Sequence, residues 1–202
     1  MKVFILLRSA VKYALMFFLS LPVFVLQAHG SMSPDDLLVS YSEKNNLTRS
    51  SGQDITINIY LNGDVSVSVS ETMKHAGHYH AFLAQEKLDA LWMLLVDEKI
   101  LTFDAQLLRE ALIRERQLLK QSRAILTTVS DKAQSVLEFY PNRYSPPGLA
   151  GEDVNVVRRI TWAGLRWDAE HYPQVEQLQL LYAIQKIVLS ILNQDDLQRM
   201  DQ

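Results

Sequence analysis

A stretch of alternating residues limits the fold of this chain more than any other feature of its sequence. Between residues 55 and 69, apolar side chains occupy every second position on either side of an Asn62-Gly63-Asp64 turn: Ile55, Ile57, Ile59, Leu61, Val65, Val67 and Val69. Successive side chains of a strand point to opposite faces, and Asn-Gly tolerates the positive φ angles of tight hairpin turns. The pattern therefore predicts a β-hairpin with one apolar face, which another layer must cover, and one polar face that can meet water.

Helical spacing predicts three helices, over residues 85–99, 105–119 and 174–193. In the first, Leu88, Leu91, Trp92 and Leu95 fall on one stripe. Asp104 is a good N-cap for the second helix. The third is apolar around most of its circumference, which is typical of a helix lying across a sheet. An interface between copies of the chain is the alternative for residues 174–193.

Further strands are predicted at 37–42 and in a second hairpin, whose arms 124–130 and 133–140 flank Asp131-Lys132. Residues 141–153 contain three prolines and two glycines and are predicted to form a loop, and residues 154–162 are predicted to be extended. This order of elements favours an α+β fold. We expect an antiparallel sheet of two β-hairpins and an N-terminal strand, packed against about three helices.

The first thirty residues have the pattern of a signal peptide. Their charges are Lys2, Arg8 and Lys12, and an apolar run over 13–26 follows. That run has about the length of a signal-peptide core and is short for a membrane span, which needs roughly 20 residues. Small residues predict cleavage after Ala28 or Gly30. We therefore expect an exported protein, periplasmic or secreted from a bacterium, with a single domain over 31–202; an uncleaved membrane anchor is the alternative.

Composition narrows the function classes. The chain has no cysteine, which excludes disulfides, thiolate catalysis and Cys-ligated metal centres. Its net charge of -3, with three of its basic residues in the first thirty, gives no basic face for nucleic acid. Nucleophile-elbow, Ser-x-x-Lys and phosphate-loop motifs are absent from the sequence, although a hydrolase built from dispersed residues stays open.

Histidines provide one candidate site. His75, His78 and His80 lie within six residues, and imidazole suits zinc and copper. In an extended segment His78 and His80 share one face, and His75 joins them only if the chain bends. Glu71, Glu170 or His171 would complete the ligand set. The alternative is a polar segment that binds no metal and needs no cofactor.

Aromatic and arginine residues provide a second candidate. They interleave in the C-terminal third, and such mixtures are typical of binding hot spots. The predicted contact surface consists of Arg143, Tyr144, Arg159, Trp162, Arg166 and Trp167. The alternative is that Trp162 and Trp167 close the edge of the core with arginines lying over them.

The order of strand, hairpin, Leu-rich helix, second hairpin and terminal helix resembles the small emfourin-type protease-inhibitor domains of bacteria. The residues that carry the resemblance are Leu61-Asn62-Gly63-Asp64-Val65 and the helix from Leu88 to Leu95. It implies an α+β fold and a binding role, and it carries over no inhibitory residue. We therefore expect an exported protein that binds a protein or a small ligand without catalysis. A His-cluster metal-binding protein and an inhibitor-like module are the alternatives.

Overall fold

A computed structural model describes residues 33–45, 54–122, 131–144 and 156–200 of the protein. The strands in these ranges are β1 (Leu37–Lys44), β2 (Ile55–Tyr60), β3 (Asp64–Val69), β4 (Gly77–Phe82), β5 (Gln134–Phe139), β6 (Arg158–Ala163) and β7 (Gln198–Arg199). They form one antiparallel sheet in the order β6-β5-β1-β2-β3-β4-β7. The helices are α1 (Gln85–Leu95), α2 (Glu98–Leu101), α3 (Ala105–Gln121), α4 (Leu165–His171) and α5 (Glu176–Ser190). The predicted α+β class is therefore confirmed.

The predicted hairpin forms the middle of the sheet. In the antiparallel pairing of β2 with β3, Ile55 lies opposite Val69 and Ile59 lies opposite Val65. Gly63 in the turn has a φ of 86°. The apolar side chains of both strands share the inner face of the sheet, where Ile57 and Val67 are almost completely buried. The outer face carries serine, threonine and asparagine, as the alternation predicts.

The partner of β5 differs from the predicted one. The second hairpin was expected to pair residues 133–140 with 124–130, and residues 123–130 lie outside the described part of the chain. Along its whole length β5 pairs with β1 on one side and with β6 on the other. The extended segment predicted at 154–162 thus supplies the neighbour of β5, as strand β6. Strand β4, which covers the histidine segment, was not predicted as a strand.

Two helix boundaries follow local capping. The helix predicted over 85–99 ends at Leu95, and α2 begins after Asp97, whose carboxylate accepts a hydrogen bond from the backbone of Lys99 at 2.8 Å. Helix α3 begins where predicted, because the Asp104 carboxylate accepts from the backbone N–H of Gln106 at 2.7 Å and of Leu107 at 3.1 Å. An N-cap of this kind satisfies donors that have no partner within the helix.

Helix α5 lies on the inner face of the sheet. Its apolar stripe is buried within the chain, through Leu178, Leu181, Ile184 and Val188. Packing within the chain therefore explains why so much of the surface of this helix is apolar. Assembly through residues 174–193 stays a prediction. Among the described residues, no helix is long and apolar enough to cross a membrane.

Candidate functional site

The three clustered histidines occupy the edge of the sheet near β7. His78 and His80 lie in β4 and pair with Ser68 and Ser66 of β3, so both belong to the polar outer face, as expected for an extended segment. His80 Nε2 lies 3.4 Å from the buried Asp64 carboxylate. His75 precedes the strand with a φ of 61°, and its carbonyl accepts a hydrogen bond from the Tyr79 hydroxyl at 2.7 Å.

Two of the three remaining proposed ligands, Glu170 and His171, are distant from these histidines, whereas Glu71 lies in the turn between β3 and β4. Glu170 and His171 belong to α4, which follows directly on β6 at the other edge of the sheet. Five strand spacings separate β4 from β6, roughly 24 Å at the usual distance between strands. His171 stacks on Trp167 with ring centroids 3.9 Å apart. In the described part of the chain, no group of three or more histidine or carboxylate side chains is placed to hold a metal ion.

The predicted arginine and aromatic surface is divided by the fold. Tyr144 and Trp162 are only 9% and 6% exposed, so they belong to the core rather than to a contact surface. Tyr144 packs edge-on against Trp92 and forms hydrogen bonds with Gln85 and Asp89. The structure thus agrees for Trp162 with the alternative that it closes the core.

The four other residues of that surface do not form one patch. Arg143 is held near the start of β1, where it donates to the carbonyls of Pro34 and Leu37 at 3.2 and 3.0 Å. Arg159 lies on the outer face of β6, opposite to the side on which Trp162 is buried. Arg166 and Trp167 lie together at the beginning of α4, beyond the other end of β6, and both line a groove.

This groove runs between the end of β1, the start of β5 and the helices α4 and α5. It has two halves with cavity volumes of about 330 and 480 Å³. The first half is lined among others by Asp131, Lys132, Ser135, Trp167 and Glu170. The second is lined among others by Tyr182, Lys186, Leu189, Ser190 and Asn193. Both halves are lined by Glu43, Arg166 and Gln185, and we call the whole the Glu43 groove.

A hydrogen-bonded network forms the floor of the Glu43 groove: Glu43, Ser135 and Gln185 line the groove, and Tyr41 lies behind them. The Tyr41 hydroxyl lies 3.1 Å from Ser135 Oγ and 3.2 Å from Glu43 Oε2, and it can donate its proton to one of them at a time. The Gln185 amide donates to the Tyr41 hydroxyl at 2.7 Å and to Ser135 Oγ at 3.3 Å. The other atom of this amide, Oε1, is buried and has no hydrogen-bond partner.

Two ion pairs border the groove. Lys132 Nζ lies 2.6 Å from the nearly buried Asp168 carboxylate, whose second oxygen accepts from the Trp162 indole at 2.8 Å. Arg166 Nε lies 2.9 Å from Glu170 on the exposed surface of α4. This hydrogen bond from Arg166 holds the pKa of the Glu170 carboxyl below its usual value. The positive charges of Lys132 and Arg166 are therefore matched within the protein.

Burial perturbs the titratable groups of the floor. It raises the pKa of Tyr41 to about 12, and the negative charge of Glu43 adds to the effect. It also raises the pKa of the Glu43 carboxyl; the hydrogen bond from Tyr41 opposes this, and the charge of Asp54 adds to it. Tyr41 is thus a neutral hydrogen-bond donor at physiological pH, and Glu43 is a carboxyl held in an unfavourable environment for its charge.

Sequence reasoning missed the floor of the groove. It identified Arg166 and Trp167 at the rim, but not Tyr41, Glu43 or Gln185. One signal was present, because Gln185 follows Leu181 by four residues and therefore interrupts the apolar stripe of α5. A polar residue at such a position needs a buried partner or a ligand.

The groove offers hydrogen-bonding groups rather than an activated nucleophile. Ser135 Oγ is held by Tyr41 and Gln185, neither of which is a base that takes a proton from a hydroxyl at neutral pH. Comparison with protein-family models, with curated proteins and with solved structures gave no match for the chain. The resemblance to emfourin-type domains stays a prediction.

Proposed function

We propose that the protein is an exported binding protein that holds a small polar ligand in the Glu43 groove, without catalysis of its own. Ligand sites are typically concave and contain a small number of convergent polar groups. The groove has both properties, since its two cavities share Glu43, Arg166 and Gln185 as lining residues.

The observation that carries this proposal is the unpartnered amide oxygen of Gln185. A buried polar atom without a hydrogen bond costs about 1–3 kcal/mol, and most such atoms in folded proteins have a partner. Gln185 is 4% exposed and lines both halves of the groove. A ligand that donates a hydrogen bond to Oε1 would remove this unfavourable term.

Export is the second part of the proposal, and the sequence of the first thirty residues supports it. Three basic residues precede an apolar run that is followed by small residues, the order found in secretory signal peptides. Fractionation of cells that express the full chain, with an N-terminal sequence of the product, tests this part. Product beginning after Ala28 or Gly30 in the periplasm or medium is the expected result.

A groove-blocking variant tests the binding site. Ser190 is an exposed residue that lines the second half of the groove, so Ser190→Trp should fill the cavity without altering the core. Gln117→Trp, at an exposed position of α3, is the matched control. Fragments found by ligand-observed NMR to bind the unaltered protein should lose affinity for Ser190→Trp by at least about tenfold and bind Gln117→Trp unchanged.

The same experiment can contradict either the binding site or the small-ligand function. If fragments bind Ser190→Trp as well as they bind the control, the Glu43 groove is not the binding site. If a screen finds no fragment that binds the unaltered protein, the proposed small-ligand function is wrong.

A further inference from the structure

Two hydrogen-bond acceptors on the floor of the Glu43 groove have either no hydrogen-bond donor or a single donor at a long distance. Gln185 Oε1 has none, and Glu43 is contacted through Oε2 by the Tyr41 hydroxyl at 3.2 Å. Glu43 Oε2 and Gln185 Nε2 both lie within hydrogen-bond distance of the Tyr41 hydroxyl, so Oε1, on the same amide as Nε2, belongs to the same part of the floor. An occupant of this part of the groove must therefore supply donors.

The charges around the groove show which kind of donor is missing. Among the described cations that line the groove, Lys132 is paired with Asp168, Arg166 is paired with Glu170, and Lys186 lies against the Tyr182 ring rather than on Glu43. Glu43 forms no ion pair within the described part of the chain, although it is partly buried. A partly buried carboxylate is normally stabilised by a cation, because burial without one is unfavourable. The occupant should therefore be positively charged.

A primary ammonium group fits these requirements. It carries three N–H donors on a compact cation, so it can donate to Glu43, to Gln185 Oε1 and to one further acceptor. The groove already accommodates one ammonium against an aromatic wall, because Lys186 Nζ lies 4.9 Å from the centre of the Tyr182 ring. A calcium ion would require six to eight oxygen ligands, more than these residues offer.

We propose that the Glu43 groove binds the primary ammonium group of a small organic amine, with Glu43 as its counter-ion and Gln185 Oε1 as a hydrogen-bond acceptor. This inference rests on the function proposed above. It assigns Lys132 and Arg166 no direct role, since their charges are matched by Asp168 and Glu170. The uncharged end of the amine extends along Tyr182 and Leu189.

A set of matched probes tests the ammonium. The probes are n-butylammonium, n-butyltrimethylammonium, which has the same charge but no N–H, and neutral 1-butanol. Titration of isotope-labelled protein is followed through the amide resonances of groove residues, including the Gln185 side chain. We expect saturable shifts with n-butylammonium and an affinity at least about tenfold lower for the two other probes, because each lacks a charged N–H donor.

A pair of variants tests the counter-ion. Glu43→Gln keeps the size of the side chain and removes its charge, and Glu138→Gln makes the same change on the opposite face of the sheet. We expect n-butylammonium to bind Glu43→Gln at least about tenfold more weakly and Glu138→Gln unchanged. A spectrum of each variant without ligand shows whether it is folded.

Several results would overturn the inference and leave the proposed function intact. Equal binding of n-butylammonium and n-butyltrimethylammonium would exclude a role for the N–H donors. Equal binding to Glu43→Gln and Glu138→Gln would exclude Glu43 as the counter-ion.

A small cavity of about 10 Å³ beside Gln185 has room for about one water molecule. A crystal structure with the amine bound elsewhere and only water on Oε1 would also contradict the assignment, whereas loss of all fragment binding would contradict the proposed function itself.

Discussion

The inner face of the sheet has two halves of opposite character. Across β2 and β3 it is aliphatic, and Ile57, Ile59 and Val65 are completely buried there. At the end of β1 and the start of β5 the inner face carries Tyr41, Glu43 and Ser135. Tyr41 and Ser135 form hydrogen bonds with Gln185 of α5. A sheet face covered by helices is normally apolar throughout. The polar half therefore departs from what stability alone would select, and it coincides with the Glu43 groove.

The two halves should respond differently to substitution, and the aliphatic half should show the largest effect. Ile57→Ala removes a completely buried side chain and leaves a cavity in a closely packed region. We expect the free energy of unfolding to fall by about 2–5 kcal/mol, measured by chemical denaturation. Thr56→Ala, on the outer face of the same strand, is the control and should change it by less than about 1 kcal/mol. Similar losses in both variants would show that the inner face of β2 is not tightly packed.

The comparison also shows what the sequence could predict. Alternation over residues 55–69 was sufficient for the aliphatic half, because both strands and their turn are adjacent in the chain. The polar half is assembled from distant segments: Tyr41 meets Ser135 across 94 residues and Gln185 across 144. Periodicity assigns a residue to a face of its own element, but it does not specify which element lies opposite. The residues of the rim, Arg166 and Trp167, were found because their type is typical of binding surfaces.

A smaller effect is expected from the centre of the polar network. Tyr41→Phe removes the hydroxyl that accepts from Gln185, and we expect a loss of about 1–2 kcal/mol in the free energy of unfolding at pH 7. Folding raises the pKa of Tyr41 from 10.0 to about 12. The contribution of its neutral hydroxyl is therefore complete below pH 10 and lost as the pH rises toward 12.

Denaturation at several alkaline pH values measures this dependence. The difference in stability between the unaltered protein and Tyr41→Phe should shrink above pH 10, because the phenylalanine has no proton to lose. A difference that stays constant up to pH 12 would mean that the Tyr41 hydroxyl is not buried as the structure places it.

The smallest effect has the opposite sign, and it tests whether the polar half is retained for binding. Folding raises the pKa of Glu43 through burial, so the folded protein holds this proton more tightly than the unfolded chain does. The associated stability is complete below the pKa of the unfolded chain and is lost as the pH rises through the higher pKa of the folded protein. Ionisation of Glu43 in the folded protein therefore takes place at the expense of stability. Glu43→Gln should raise the melting temperature slightly at pH 7 and leave it unchanged below the usual pKa of glutamate.

Binding and stability then make opposing demands on one residue. A substitution that stabilises the free protein and weakens amine binding is the behaviour expected of a functional site, where unfavourable groups persist because a ligand uses them. Glu138→Gln, on the outer face of β5, should show neither effect. If Glu43→Gln instead lowers the melting temperature at pH 7, then Glu43 contributes to stability through its charge. The polar half would in that case be a structural network rather than a site prepared for a cation.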